Sequence, residues 1–277
     1  WRLTNKLTLS NFTHASLRKP LRRVSSDSYI KRDMNLCIDQ GNSRTKIALF
    51  KDGRIVKNLI YKLFTSTDVE RLFSLYPISN AIVSSVANIE PAVVNALHRL
   101  SKHFILFDHL TPLPIANHYQ TPETLGHDRI ASAVGASYLC PHNNLLIVDA
   151  GSAITYDFVS AEQGFLGGNI APGMKMRLTA LNQMTKKLPR VEVEENAFRP
   201  LFGKNTREAI AVGVVRGVVF EVKGYMRALK EQKTSFTTYI TGGHAPYILD
   251  AMKKDVIGEP HLVLIGLNCI LEYNINN

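Results

Sequence analysis

Cysteine is scarce in this chain, and the three present, Cys37, Cys140 and Cys269, are far apart with no CxxC pair. That excludes a disulfide framework and a cysteine zinc site. No apolar run reaches the roughly 18–20 residues that cross a bilayer, so a membrane-spanning helix is excluded. The nine histidines do not cluster with ligand spacing and no HExxH occurs, so transition-metal chemistry finds no support. GxxxxGK[ST] and GxSxG are also missing, which removes a Walker-type phosphate loop and a nucleophile elbow. What is present is an ordinary globular balance: 277 residues, 45% hydrophobic and 20% charged. The length suits one large or two modest domains, and disordered, collagenous and low-complexity classes are excluded. Free thiols and the absence of a spanning segment make the cytoplasm the expected compartment.

Acidic residues are outnumbered, 23 against 33 Lys and Arg, for a formal net charge of +10. The excess invites a nucleic-acid reading, but its distribution argues against one. Residues 1–33 hold eight Lys or Arg against two Asp, so this segment alone carries +6. The remainder is nearly balanced. The segment is rich in Ser, has no clean hydrophobic period and begins with Trp. It reads as a leader outside the fold, with Met34 as the natural start. A mis-assigned upstream translation, residues left from cloning, an organellar transit peptide and a basic tail without function are the alternatives.

From Met34 onward, strand-like and helix-like patterns alternate, the mark of an α/β protein. Strands are expected at 35–39, 45–50, 55–61, 81–86 and 103–107, then at 145–149, 153–159, 164–170, 237–241 and 261–265. Helices are expected at 68–76, 91–101, 129–139, 174–184, 206–230 and 245–252. The more informative feature is an internal repeat. Asp39-Gln40-Gly41-Asn42-Ser43 follows an apolar strand and leads into a second strand, an Asp52-Gly53 turn and a third. Asp149-Ala150-Gly151-Ser152 does the same 110 residues later. Two copies of one strand–loop–hairpin unit imply two related domains, 34–140 and 141–277, whose matching loops meet at a cleft.

Such loops suit phosphate. Gly41 and Gly151 allow close backbone approach, backbone N–H groups and the hydroxyls of Ser43 and Ser152 can donate to phosphate oxygens, and the aspartates can hold cations. Lys46, on the following strand, can reach the same phosphates. Taken singly, each loop reads better as an Asx-type turn; it is the pair that favours phosphate. Gly126-His127-Asp128-Arg129 stands before a helical run, where Asp128 is either an N-cap or a base beside an anion-binding Arg129. The segment Gly167-Gly168-Asn169-Ile170-Ala171-Pro172-Gly173 reads as a tight strand-to-helix turn, with or without a ligand contact. Gly242-Gly243 after a strand would let backbone approach a flat ring such as adenine.

Taken in order, these pieces resemble the type III pantothenate kinase family, of the actin-like, sugar-kinase-like and Hsp70-like superfamily. The resemblance covers nearly all of 34–277. It rests on Asp39-Gln-Gly-Asn-Ser-Arg-Thr-Lys46, on Tyr119 followed by Pro122 and Leu125-Gly-His-Asp-Arg129, on Asp149-Ala-Gly-Ser-Ala-Ile-Thr155, on Gly167 to Gly173, on Asn205-Thr-Arg-Glu-Ala-Ile210 and on Gly242-Gly243. The chain departs from the family at Ser43 and Ser152, where Thr is usual; the hydroxyl is kept. The resemblance implies an α/β fold of two related actin-like (ribonuclease H-like) domains with a cleft between them. It also implies ATP-dependent phosphorylation of pantothenate to 4′-phosphopantothenate, the first step of coenzyme A synthesis.

The residue roles come with the resemblance. Asp128 matches the catalytic base. Asp39, Gln40, Gly41, Asn42, Ser43, Arg44, Thr45, Lys46 and Ser152 match the ATP contacts. Tyr119, Gly126, His127, Asp128, Arg129 and Thr206 match the pantothenate contacts. Asp149 matches a site for a monovalent cation, K⁺ or NH₄⁺, and Asp39 would hold Mg²⁺ through water. Members are homodimers, and the apolar helix Ala209 to Val222 reads equally as interface or as core. The competing readings are another kinase of the same superfamily, acting on a sugar or small alcohol, and a non-catalytic nucleotide-binding regulator. Retention of Asp39, Asp128 and Asp149 together argues against the latter. Neither nucleic acid nor membrane is expected as a partner.

Overall fold

The computed structural model describes residues 34–85, 89–192, 200–252 and 254–277. The basic segment 1–33 and the last residue of the strand expected at 81–86 lie outside them. Five strands, β1 (Met34–Gln40), β2 (Thr45–Lys51), β3 (Arg54–Tyr61), β4 (Ile78–Ser85) and β5 (His103–Leu106), form a first sheet ordered β3-β2-β1-β4-β5. A second sheet is ordered β10-β9-β6-β7-β8, from β6 (Asn144–Ala150), β7 (Ala153–Ser160), β8 (Gly164–Pro172), β9 (Phe236–Thr241) and β10 (Ile257–Gly258). Read outward from β1 and from β6, the two are one topology. Each has an antiparallel three-strand meander followed by two strands joined in parallel. The internal repeat in the sequence is therefore a repeat of structure.

Strand alternation sorts the apolar side chains into layers. Leu36, Ile38, Ile47 and Leu49 pack toward α1 (Ser66–Leu75) and α2 (Pro91–Leu100). Their neighbours Cys37, Ala48 and Phe50 point the other way, onto α3 (His127–Leu139) and α7 (Leu262–Asn276). Leu145 and Ile147 of the second sheet meet the same two helices from the opposite side. Leu146, Val148 and Ile154 face α4 (Met174–Gln183), α5 (Thr206–Glu231) and α6 (Ala245–Met252). Sheets and helices thus form five layers, with α3 and α7 in the middle. The stripe Ile210, Val214, Val218 and Val222 of α5 belongs to that outer core, which settles the core reading for this face.

Three expectations are corrected. The strand expected at 261–265 is the start of helix α7. Its run from Leu262 to Leu271 is apolar almost all round because it is enclosed on every side, and such a run has no period that separates helix from strand. Residues 167–172 are not a turn; they complete β8, paired with β7 through Pro172, and the chain reverses at Gly173, the N-cap of α4. Pro172 is therefore the last strand residue rather than part of a first helical turn. The N-cap of α3 is Gly126, so Asp128 is free of that duty and sits inside the first turn.

The middle layer is tightly drawn. A Cβ on Gly266 would run into the carbonyl of Ala131, and one on Gly135 into the carbonyl of Leu262, so the two helices touch backbone to backbone. A polar chain also ties α7 to the first sheet: Asn80 donates to Asn35 (2.9 Å), Asn35 to Asn268 (2.9 Å) and Asn268 to Glu272 (3.0 Å). All three thiols are free, and no helix among the described residues is long and apolar enough to cross a membrane. Gly266→Ala should force the helices apart at a cost of about 2 kcal/mol, or roughly 4–8 °C in melting temperature, measured by thermal denaturation.

Candidate active site

The first phosphate-loop candidate is the β1–β2 hairpin. Asp39 is the penultimate residue of β1, buried, and its cross-strand partner is Lys46. Gly41 to Arg44 form the exposed tip, closed by the Gly41 N–H donating to the Arg44 carbonyl (3.1 Å). The second candidate is the matching β6–β7 hairpin. There Asp149 lies opposite Thr155 on one side and Thr241 on the other, with Gly151 and exposed Ser152 at the tip. Gly242 packs against this hairpin with φ of +92°, and a Cβ on it would strike the Asp149 carboxylate and Ala150. Glycine is required there, so the Gly242-Gly243 signal marks a real close approach, made to Asp149. The next residue, His244, donates its N–H to the Ala150 carbonyl (2.9 Å) and its ring Nδ1 lies 3.3 Å from the Gly151 carbonyl.

A third contribution comes from the N-terminus of α3. Gly126 leaves room for the Asp128 carboxylate, which a Cβ would meet at 2.6 Å; Asp128 instead accepts the Arg129 N–H (2.9 Å). His127 packs its ring on Phe107, 5.2 Å between centroids. Tyr119 arrives on the segment 116–119, which is stitched to β8 by the Phe165 and His118 N–H groups. Its ring lies 5.4 Å from the Arg129 guanidinium.

The three elements form one electrostatic group. Burial pushes the Asp39 carboxyl up from 3.8 to about 6; Lys46 opposes the rise and Asp128 adds to it. Burial likewise pushes Asp149 up from 3.8 to about 7, with Asp128, Asp39 and Asp157 adding and Lys46 opposing. Groups that perturb one another this way share a site, and a cluster of carboxylates with raised values beside a lysine is suited to accepting a cation or a proton. Among the described residues no three or more His, Cys, Asp or Glu form a metal cage. Magnesium does not require one, since one or two carboxylates with substrate phosphate oxygens suffice.

Thr206 belongs to a different element. It is the exposed first residue of α5, and its neighbour Arg207 reaches the Arg190 carbonyl (3.1 Å). Arg190 lines a cavity of about 460 Å³ between α4 and α6, together with Lys175, Thr179, Asn182, His244 and Tyr247. This cavity adjoins the Gly151–Ser152 loop through His244. The sequence reading missed His244 and Asp157. Asp157 had a visible signal: it is the sole charged residue in the otherwise apolar or neutral strand β7.

Two repeated sheets that bring hairpin loops, carboxylates and a lysine together define the class of two-domain, actin-like α/β proteins. Solved structures agree at the level of fold. A ROK family glucokinase from Streptomyces griseus aligns with a TM-score of 0.51 at 10% identity, covering 87% of this chain and 99% of that one. Component A of the (R)-2-hydroxyglutaryl-CoA dehydratase of Acidaminococcus fermentans aligns with a TM-score of 0.50 at 12% identity, over 88% and 100%. Sequence relationship is narrower. A family profile described as type III pantothenate kinase matches residues 35–228. The type III pantothenate kinase of Phocaeicola vulgatus is 40% identical over 241 residues, 87% of this chain and 99% of that protein. That of Cytophaga hutchinsonii is 38% identical over 246 residues, 87% and 100%. The chain belongs to the type III pantothenate kinase family, and it is a kinase.

The raised carboxylates set a pH dependence. The folded state holds protons on Asp39 and Asp149 above pH 3.8, where the unfolded chain has released them. Their contribution to stability is therefore complete at low pH and declines as pH rises through 6 to 7. In buffer free of metal cations, the melting temperature should fall between pH 5 and pH 8, and Asp149→Asn should flatten that fall.

Proposed function

We propose that this protein transfers the γ-phosphoryl group of ATP to the primary hydroxyl of pantothenate, giving 4′-phosphopantothenate and ADP. The observation that carries the reading is the joining of Asp39, Lys46, Asp128 and Asp149 into one electrostatic group by two repeated hairpins and a helix N-terminus. Membership of the family supplies the substrate.

The chemistry explains the residue types. An alcohol holds its proton too tightly to attack unaided, and a positioned carboxylate that accepts it is worth about 10²–10⁴ in rate. Asp128 is that base: as the substrate oxygen bonds to the γ-phosphorus and the bond to ADP breaks, the hydroxyl proton passes to its carboxylate. The rest of the task is positioning and charge neutralisation. Backbone N–H groups of Gly41 to Arg44, the Ser43 and Ser152 hydroxyls and Lys46 would hold phosphate oxygens, with Gln40 and Thr45 framing the hairpin. The cavity beside His244 suits the nucleoside. Asp39 would hold a magnesium ion through water, and that ion would neutralise charge on the phosphates. Asp149 would hold K⁺ or NH₄⁺, whose charge offsets the burial that otherwise keeps a proton on this carboxyl.

Tyr119, Gly126, His127 and Arg129 would line the pantothenate side, with Arg129 meeting the carboxylate. Thr206, exposed at the start of α5, would reach the site of a second subunit in a homodimer. Apolar surface for such a partner is present at Met176 and Phe220, each about half exposed on α4 and α5. Those helices are joined by the Arg177–Glu221 ion pair. The cytoplasm, with its ATP and reduced thiols, is the fitting compartment.

Asp128→Asn should lower kcat by about 10²–10⁴ while ATP affinity stays within a few fold, measured by coupled ADP release and nucleotide titration. Wild-type turnover in that variant would remove Asp128 as the base. Asp149→Ala should abolish the difference between turnover in K⁺ and in Na⁺. Unchanged K⁺ stimulation would place the cation elsewhere.

A further inference from the structure

Asp157 has no part in the phosphate loops, yet it is among the most demanding residues in the fold. Along β7, Ile154 and Tyr156 face the outer helices, whereas Asp157 points with Val159 into the middle layer, at 0% exposure. A lone carboxylate there would be costly, and it is paired with Arg129, itself 5% exposed. Arg129 Nε donates to Asp157 Oδ1 (3.0 Å), with Oδ2 at 3.3 Å, and Nη2 donates to Oδ1 (2.5 Å).

The surroundings are shaped to this pair. Gly168 is the cross-strand partner of Asp157, and a Cβ there would occupy the space of the carboxylate. Gly167, at φ +119°, lies where a Cβ would be 3.6 Å from the Tyr119 ring. Tyr119 in turn stacks on the guanidinium. One edge of the fork and one face of its plane are thus held by the protein.

A buried ion pair adds little net stability compared with an apolar pair of the same volume. What this arrangement does provide is orientation. With Nε and one Nη2 proton committed to Asp157, and Tyr119 a further hydrogen-bond partner of the guanidinium, the Nη1/Nη2 edge is the edge that Asp157 leaves for an anion, a bidentate match for a carboxylate. We propose that Asp157 is a positioning residue for substrate recognition, holding Arg129 so that its Nη1/Nη2 edge receives the substrate carboxylate beside Asp128. The inference rests on the pantothenate reading above.

The test compares pantothenate with pantothenamide, in which an uncharged CONH₂ replaces the carboxylate, in wild type and in Asp157→Asn. The variant keeps shape and removes the charge that orients Arg129. Its preference for pantothenate, as the ratio of kcat/KM values, should fall about ten- to a hundredfold, the worth of a charge-assisted hydrogen bond. The loss should appear in the pantothenate KM, with kcat and the ATP KM within a few fold. Equal losses on both substrates, or an unchanged preference, would overturn the proposal and leave Asp157 a strut. If the Asn variant does not fold, Gly168→Ala tests the same geometry with both charges kept, and the same two outcomes decide. A wild type that phosphorylates neither compound would overturn the substrate reading and this inference together; wild-type turnover with a retained preference in the variant would overturn the inference alone.

Discussion

The contact of α3 with α7 at Gly135 and Gly266 is the constraint on which the rest depends. Because neither helix carries a Cβ at the crossing, their backbones meet, and the two helices form a thin, rigid layer that both sheets pack against. The thickness of that layer sets the separation of the sheets, and with it the distance between the β1–β2 and β6–β7 hairpins. The same helix, α3, carries Asp128 and Arg129 in its first turn behind the N-cap Gly126, so packing that stabilises the core also places Asp128. Stability and function here share one element.

Electrostatics then works against the fold at the candidate site. Asp39 is buried and Asp149 half-buried near Asp128, and the proton affinity of both is raised, with only Lys46 opposing. A site assembled from mutually repelling carboxylates is incomplete without cationic or phosphate-bound partners, and that incompleteness gives it affinity for them. Asp157 is treated differently. It too is raised by burial, but Arg129 lowers it through hydrogen bonds and charge, so this carboxylate is satisfied within the protein and orients rather than reacts.

Much of this was legible in the residues. The repeat of Asp-x-Gly loops after apolar strands announces two related sheets, and the sequence pattern by itself singles out Asp39, Lys46, Asp128 and Asp149. Other features were not legible, for definable reasons. The run Leu262 to Leu271 looked like a strand because full enclosure erases the periodicity that distinguishes helix from strand. Gly167 to Pro172 looked like a turn because its glycines were read for chain reversal. Their real role is to make room for Tyr119 and Asp157, and a sequence does not display what a missing Cβ avoids.

Local pattern therefore determined the class of fold, the identity of the loops and the acidic and basic residues that serve them, because strand alternation, turn chemistry and charge are properties of neighbours in the chain. Tertiary structure alone decided that Asp157 grips Arg129, that Gly242 presses on Asp149 and that His244 joins the second loop to a cavity. Each of those is a contact between residues 28 to 93 positions apart. Distance along the chain carries no information about such contacts until the sheets are stacked.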